Sequence, residues 1–370
     1  MKKFPILFIF ILLCVQSISF SPAQADTSII RITDVPHRTF DGIFRNNELA
    51  SEIAINGRLW NLVFLPDSSS KIWVIDAALI DEIFAMTTPY TIANGDKFEA
   101  SIPAQEWIAQ LVKLTVGAQV VALPYGNCDP VLTKKIAPRE LSFYYTYGQD
   151  RLANVLGRAV RSEPLEKWSI GRSNLPYELR SRYSVNRNAL QSLATVVSPS
   201  ELIDLRAHLG QLLSPMLSKA DRQFYSFNAT QQVYKTKQRL RIFSGKYQLT
   251  SSRVKLPVTL ENDFDSPVTL RLNLSPSTSR VIIGEIGEIT LAPRSKTQFA
   301  IPLEIVAPGT TTISAEFVNT DGQKVSNSVQ LLLNMTVIDS RVAWFTTGAA
   351  VLLFVGAITQ SVRRVRRTRK

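Results

Sequence analysis

The sequence predicts an α+β multidomain protein with two exported domains and one membrane-spanning helix. Three observations predict this architecture. Residues 26–245 alternate between short apolar runs and stretches with helical spacing, which is typical of an α/β domain. Residues 246–339 repeat apolar side chains at every second position, which is typical of an immunoglobulin-like β-sandwich. Val342–Val362 is 21 residues long and carries no charge, as a transmembrane helix requires.

The order of elements within the α/β domain predicts a parallel sheet. Lys71–Ile75 is an apolar strand, Ala77–Met86 changes to helical spacing, Ile102–Val116 is an amphipathic helix, and Gln119–Leu123 is the next apolar strand. Strand, helix, helix and strand in this order favour parallel pairing. The domain has fewer than the roughly 250 residues that a closed eight-stranded barrel takes. We therefore expect a partial or degenerate barrel-like sheet with helices.

The rest of this domain is expected to be mainly helical. Residues 162–198 contain few clear strand runs, and we expect them to be irregular. Ser218, with Asp221 three residues later, has the spacing of a helix N-cap. The other expected elements are a short strand at Ile29–Ile32 and helices at Asn47–Ile55, Arg58–Leu65, Pro138–Arg161, Ser200–Leu217 and Ser218–Leu240.

The sandwich prediction depends on strict alternation. Val268–Leu274 and Phe299–Ile305, for example, place an apolar side chain at every second position, so each strand is half-buried. About seven such runs occur, and Asp321-Gly322 between two of them is a hairpin signal. The fold does not by itself indicate a function, because such sandwiches carry many unrelated ones.

The first 25 residues have the composition of a secretory signal peptide. Lys2 and Lys3 form a positive head, Phe4–Val15 is apolar, and Ala23-Gln24-Ala25 provides small residues for cleavage after Ala25. The alternative is an uncut N-terminal anchor. The apolar segment of 12 residues is shorter than the roughly 20 that a spanning helix needs, which favours cleavage.

A basic tail follows the predicted transmembrane helix. By the positive-inside rule, this tail lies in the cytoplasm and residues 26–341 lie outside the cell membrane. Membrane lipids are then expected partners of both the helix and the tail, and the tail would contact their anionic headgroups. The tail's cations are Arg363, Arg364, Arg366, Arg367, Arg369 and Lys370.

The net charge mostly reflects this topology. The chain carries 42 basic and 30 acidic residues, a net charge of +12, but two lysines of the head and the six tail cations leave only +4 for the exported part. No basic stripe interleaved with aromatic residues occurs there, so nucleic acid is not an expected partner.

The cysteine and histidine content argues against a metal centre. After cleavage Cys128 is the one remaining cysteine, so we expect no internal disulfide and no cysteine-based zinc site, and we expect the thiol to be half-buried in a turn. His37 and His208 are the only histidines, and neither has a partner at ligand spacing. No nucleotide-binding or nucleophile-elbow motif occurs, so no cofactor is expected.

Two aspartates at predicted strand ends are the candidate catalytic residues. Asp76 follows Lys71–Ile75, and Asp129 follows the turn after Gln119–Leu123. Functional groups gather at the carboxyl ends of parallel strands, and two carboxylates there could serve as the acid and base that act on a glycan. The alternative is that each caps the following helix, which suits Asp129 before Pro130. The two roles are not exclusive.

Neighbouring residues are candidates for ligand binding. Trp73 and Tyr125 could offer aromatic faces for stacking on a sugar, and Asn127 lies in the same turn as Tyr125. Gly126 and Asn127 also supply the backbone freedom that a turn needs.

The chain resembles an uncharacterised actinobacterial cell-envelope family. The segments that carry the resemblance are IWVIDAALIDEI, VVALPYGNCDP and LPVTLENDFDSPVTLRLNL, together with the Asp-Gly hairpin, the single span and the arginine-rich end. Members are similar in having a signal peptide, a long exported region and one C-terminal anchor, often encoded beside a lipid II flippase homologue. Val131 stands where the family pattern has a second acidic residue. The resemblance implies a cell-envelope setting and no known activity.

Two functional hypotheses follow. The first is a non-enzymatic surface protein with a binding or scaffold role, which contacts cell-wall glycan or an envelope membrane protein. The second is a glycan-acting hydrolase or deacetylase that uses Asp76 and Asp129.

Overall fold

The computed structural model of the chain describes residues 28–65, 71–162, 168–336 and 348–360. The predicted signal peptide and the basic tail lie outside these ranges. Of the predicted transmembrane segment, residues 348–360 are described; they are helical, and their side chains are exposed. Within the described ranges, no helix combines the length and the apolar character needed to cross a membrane.

The N-terminal part is organised by a parallel sheet of four strands. Their order in the sheet is the same as in the chain, and the register places Ile32 beside Ile75 and Ile75 beside Ala122. The predicted parallel pairing is confirmed, and all four carboxyl ends lie at one edge. In the described residues this sheet is open and does not close into a barrel. The strands are β1 (Ser28–Ile32), β2 (Lys71–Ile75), β5 (Gln119–Ala122) and β6 (Arg161–Ser162).

Helices and a two-stranded ribbon connect these strands. The ribbon consists of β3 (Tyr90–Thr91) and β4 (Lys97–Phe98). The helices up to β6 are α1 (Glu48–Ile53), α2 (Arg58–Phe64), α3 (Ala77–Ala85), α4 (Ile102–Leu114), α5 (Pro130–Ile136) and α6 (Pro138–Leu156).

The two faces of the parallel sheet contact different cores. Trp73 and Ile75 point to one face, where they pack among the apolar side chains of α1 to α4. Val74 and Val121 point to the other face, where Trp168 covers them. The period of two along each strand therefore divides its side chains between two apolar environments, which explains why these strands are apolar without interruption.

A helical segment follows β6 and corrects two sequence predictions. Residues 162–198 are not irregular throughout, because a helix of 17 residues lies within them. The expected single helix Ser200–Leu217 is interrupted: 3₁₀ turns at Pro199–Glu201 and Leu209–Leu213 flank a short α-helix. The α-helices of this segment are α7 (Tyr177–Leu193), α8 (Ile203–His208) and α9 (Lys219–Gln238).

The polar composition of α7 explains why the sequence pattern does not predict this helix. Its buried stripe contains Leu179, Tyr183, Leu190 and Leu193 at helical spacing, but Asn186 occupies the middle of the stripe. The Asn186 amide donates to Thr230 Oγ1 of α9 at 3.1 Å, so the polar residue is satisfied by a partner 44 positions away. Only the tertiary structure supplies that partner.

The C-terminal part is a sandwich of two face-to-face sheets, as predicted. One sheet has the strand order β12-β10-β14-β15-β8 and the other β11-β13-β9-β7. Pairing within them is antiparallel, except that β15 and β8 are parallel. In chain order the strands are β7 (Leu240–Ile242), β8 (Gly245–Leu249), β9 (Arg253–Asn262), β10 (Val268–Pro276), β11 (Val281–Ile283), β12 (Ile289–Leu291), β13 (Ser295–Ile305), β14 (Gly309–Val318) and β15 (Val329–Met335).

The helical segment is joined to the sandwich by apolar and polar contacts. Leu193 and Val197, at and just beyond the end of α7, belong to the same buried cluster as the sandwich core. Glu201 accepts hydrogen bonds from the backbone N–H groups of Asp265 and Ser266, at 3.0 and 2.9 Å, and Arg239 donates to it at 3.1 Å. These contacts fix the sandwich loop against the end of the helical segment.

Glycines permit a close approach of other backbone segments to the turn after β5. α6 crosses the chain just after β5, where Tyr125 N donates to Tyr144 O at 3.0 Å. A Cβ at Gly148 would lie 2.7 Å from the Leu123 carbonyl oxygen, and one at Gly210 would lie 2.7 Å from the Tyr125 carbonyl oxygen. The turn after β5 is therefore held between two segments that must have glycine at the point of contact.

We expect Gly148→Ala to destabilise the protein. Alanine normally stabilises a helix interior relative to glycine, but here the added methyl group meets the backbone of Leu123, and overpacking of this kind costs about 1–3 kcal/mol. Denaturant unfolding followed by tryptophan fluorescence measures the change. Gly287→Ala is the control, because nothing lies within 4 Å of its Cβ position. Equal stability of the two variants would contradict this account of the crossing.

Candidate functional site

Asp76 lies at the carboxyl end of β2 and caps α3. Its Oδ1 atom accepts from Ala78 N at 3.0 Å and from Gly126 N at 2.9 Å. The carboxylate thus joins the start of α3 to the turn that follows β5. Burial raises the pKa of Asp76 to about 7, although the backbone N–H groups act in the opposite direction.

Asp129 has the same role at the start of α5. Its Oδ1 accepts from Val131 N at 2.9 Å, and its Oδ2 accepts from Ser173 N at 2.7 Å. Asp129 is 2 % exposed, and both of its carboxylate oxygens are occupied by backbone donors. Neither Asp76 nor Asp129 lines either of the two polar cavities described below. The capping interpretation therefore accounts for both side chains.

The candidate ligand-binding residues are also buried. Trp73 is 2 % exposed inside the core, so its ring offers no face to a sugar. Tyr125 is 1 % exposed and donates to Asp81 Oδ2 at 3.0 Å. Asn127 is 6 % exposed and adopts a φ of 46°, which agrees with its expected role in the turn. A ligand cannot reach these three side chains in this arrangement, so they do not form the predicted binding site.

Cys128 is fully buried, not half-buried as expected. It belongs to the apolar cluster formed by α7, α9 and the segment between them. Burial raises the pKa of its thiol to about 12, so it is not a nucleophile at neutral pH.

A polar cavity lies on the carboxyl side of the parallel sheet. Its walls come from the segment after β1, from α3 after β2, and from α8 and α9. We call it the central cavity; its volume is about 490 Å³. Its polar lining includes Arg38, Asp41, Asp81, Glu82, Glu201, Asp204, His208, Gln211, Gln232, Lys235 and Arg239.

Most carboxylates of the central cavity already have protein partners. Asp81 accepts from Arg151 Nη2 at 2.8 Å and from Tyr125. Asp204 accepts from the Tyr147 hydroxyl at 2.6 Å. Glu82 Oε2 accepts from His37 N at 3.0 Å. Because these hydrogen bonds hold the three carboxylates in the wall of the cavity, the carboxylates are less available to a ligand.

His208 and Gln211 retain unused hydrogen-bonding groups. The His208 ring lies 5.5 Å from the Tyr125 ring and 6.3 Å from the Phe40 ring, measured between centroids. Gln211 is 5 % exposed as a residue and lines the same cavity. Within the described residues neither side chain has a protein hydrogen-bond partner. Because both side chains line the cavity and can donate and accept hydrogen bonds, these groups are candidates to contact a ligand.

Two titratable groups in the central cavity have pKa values far from their ordinary values. Burial lowers the pKa of His208 to about 4, with Arg38 acting in the same direction, so the imidazole is neutral at pH 7. Burial raises the pKa of Glu82 to about 7, against the effect of His37, so this carboxyl group exchanges its proton near neutral pH. Perturbed groups of this kind in one cavity are typical of functional sites.

Sequence reasoning did not identify this site. In the sequence His208 has no neighbour that indicates a ligand site, and Glu82 lies on a helix whose predicted feature is the Asp76 cap. One available signal was the pair Asp81-Glu82 on a helix that is otherwise apolar. No group of three or more metal-ligating side chains occurs in the described parts of the chain.

Residues 174–370 match the model of a family of unknown function, DUF6049. The match covers more than half of the chain, so the chain belongs to this family. It includes α7 to α9, the sandwich and the C-terminal end. A search of curated proteins finds no match.

Solved structures similar to this chain cover about a quarter of it. WR4, a C. elegans MSP family member, is 9 % identical over 26 % of this chain and 98 % of that chain, with a TM-score of 0.21. The native conformation of E. coli alpha-2-macroglobulin is 18 % identical over 26 % of this chain and 6 % of that one, with a TM-score of 0.21. The E. coli chaperone DraB is 10 % identical over 26 % and 55 %, with a TM-score of 0.20. At these values none of them informs the function of this chain.

We expect Asp129→Asn to lower stability by about 1 kcal/mol, because the amide NH₂ cannot accept the hydrogen bond that one carboxylate oxygen now takes. Thermal unfolding measures the effect. Asp150→Asn removes an exposed carboxylate of α6 and should have no measurable effect. A catalytic Asp129 would show the opposite result: unchanged stability together with loss of a turnover activity.

Proposed function

We propose that this chain is a membrane-anchored cell-envelope protein that binds a hydroxyl-rich ligand, part of the cell-wall glycan, in the central cavity. The single observation that supports binding is the pair His208 and Gln211, whose unused polar groups line a cavity of about 490 Å³. The envelope setting rests on the sequence: an N-terminal signal, an uncharged segment at Val342–Val362 and a basic tail.

The lining of the cavity favours a ligand with many hydroxyl groups. A neutral imidazole and an amide each donate and accept hydrogen bonds, which suits hydroxyl groups better than it suits a single strong charge. Gln232 and Lys235 on α9 add further polar groups. The volume lies within the usual range of small-molecule sites, roughly 300–1,000 Å³, so it can hold one or two sugar units of a longer chain.

A glycan-acting hydrolase or deacetylase is the second candidate, but its residues differ from the sequence prediction. The carboxylates of Asp76 and Asp129 are bonded to backbone N–H groups. Glu82 and His208 line the central cavity instead, and the pKa of Glu82, raised by burial to about 7, suits proton transfer near neutral pH. An enzyme of this class would release soluble fragments or acetate from cell-wall material, whereas a binding protein would release neither.

We expect the full-length chain in neutral detergent to be retained on purified cell-wall sacculi. Gln211→Met keeps the length of the side chain and removes its amide, so retention should fall about tenfold, the effect of about 1.4 kcal/mol. Gln330→Met, the same change at an exposed position of β15, is the matched control. Equal retention of all three proteins would contradict the assignment to the central cavity. Mass spectrometry of the supernatant identifies any product that would indicate an enzyme.

Protease treatment tests the proposed topology. If residues 26–341 lie outside the cell membrane, protease added to intact, wall-stripped cells should digest them and spare a small basic C-terminal fragment. Lysed cells are the control for protease access to all of the protein. Survival of the intact chain in unlysed cells, with digestion after lysis, would contradict the topology.

A further inference from the structure

A second cavity lies where α7 and α9 begin, separate from the central cavity. Its volume is about 620 Å³. Three cationic side chains line it, namely Arg182, Lys219 and Arg222, against the single carboxylate of Glu178. Asn174 and Gln223 add neutral polar groups. The lining therefore has an excess of positive charge, which the central cavity lacks.

Arg222 is a buried cation whose direct partners are all neutral. It is 6 % exposed. Its Nη1 donates to Leu212 O and Ser173 Oγ, both at 2.8 Å, and its Nη2 donates to Ser214 O at 3.0 Å and Leu217 O at 3.2 Å. No carboxylate among the described residues forms an ion pair with it. A buried guanidinium is ordinarily paired with an acid, because its desolvation otherwise goes uncompensated.

A carboxylate is connected to Arg222 only indirectly. Ser173 receives a hydrogen bond from Arg222 at its Oγ atom, and its backbone N–H donates to Asp129 Oδ2 at 2.7 Å. The Asp129 carboxylate also accepts hydrogen bonds from backbone N–H groups at the N-terminus of α5. The positive charge of Arg222 is therefore only partly balanced within the protein.

The other two cations are accessible to a ligand. Arg182 Nη2 lies 2.7 Å from Glu178 Oε1, but the two side chains are 42 % and 73 % exposed, so this ion pair is weak and easily exchanged. Lys219 is exposed and has no ion-pair partner among the described residues. The first turns of α7 and α9, helices of 17 and 20 residues, face the same cavity and add partial positive charge.

We propose that this second cavity binds the phosphate group of a small ligand. Arg182 and Lys219 would contact the phosphate oxygens directly, and Arg222 would contribute its charge from the wall, since its Nη1 and Nη2 groups already donate to protein acceptors. A phosphate dianion suits several cations better than a monovalent carboxylate does. The cavity leaves space for the organic part of the ligand, which could be a free phosphate ester or the headgroup of a lipid.

Calorimetric titration of the full-length chain in neutral detergent, at constant ionic strength, tests this proposal. The probes are inorganic phosphate and glycerol 1-phosphate, with glycerol as the uncharged comparison. We expect saturable binding of both phosphates and none of glycerol. Phosphatidic acid added to the detergent micelles distinguishes the two sources: displacement of glycerol 1-phosphate by this lipid supports a lipid headgroup, whereas no displacement supports a free phosphate ester.

Charge-matched variants locate the site. The double variant Arg182→Gln/Lys219→Gln should bind both phosphates about tenfold more weakly, because it removes the two accessible cations. Lys134→Gln/Lys135→Gln removes two exposed cations of α5 and should bind as the unmodified chain does. Absence of saturable binding, unchanged binding in the first variant, or equal loss in both variants would overturn the proposal. Gln211→Met should retain phosphate binding, which separates this site from the glycan site.

Discussion

The arrangement of the N-terminal part depends on one buried carboxylate. Asp76 Oδ1 accepts from the first turn of α3 and from Gly126 in the turn after β5, so it fixes two neighbouring strand ends to each other. The same turn is held from two sides by glycines of α6 and of the segment after α8. Tyr125, which precedes Gly126, then reaches Asp81 and lies beside His208. The wall of the central cavity follows from these contacts.

The carboxylates at the strand ends show how a functional pattern can have a structural origin. Residues at the carboxyl edge of a parallel sheet often carry chemistry, and Asp76 and Asp129 occupy that edge. Both instead satisfy backbone donors at helix starts, which would otherwise be buried without partners. The unused polar groups, those of His208 and Gln211, lie instead on α8 and the turn that follows it, where they line the central cavity.

The helical segment connects the two parts of the molecule and both proposed sites. α8 and α9 supply part of the central cavity, and the starts of α7 and α9 supply the second cavity. The same segment contributes Leu193 to the sandwich core and Glu201 to the sandwich loop. Because the family match begins at residue 174, it includes this segment together with the sandwich. A ligand in either cavity would therefore contact elements that are packed directly against the sandwich.

The sequence by itself determined the elements whose pattern is local. Period-two alternation predicted the sandwich, apolar runs predicted β2 and β5, and Asp before Pro130 predicted the cap of α5. Tertiary structure decided α7, since the Asn186 in its buried stripe is satisfied only by Thr230 of α9. It also decided both cavities, because their walls combine residues far apart in the chain. Local periodicity records which face of an element is buried, but it does not record which polar side chains meet across the fold or which remain without a partner.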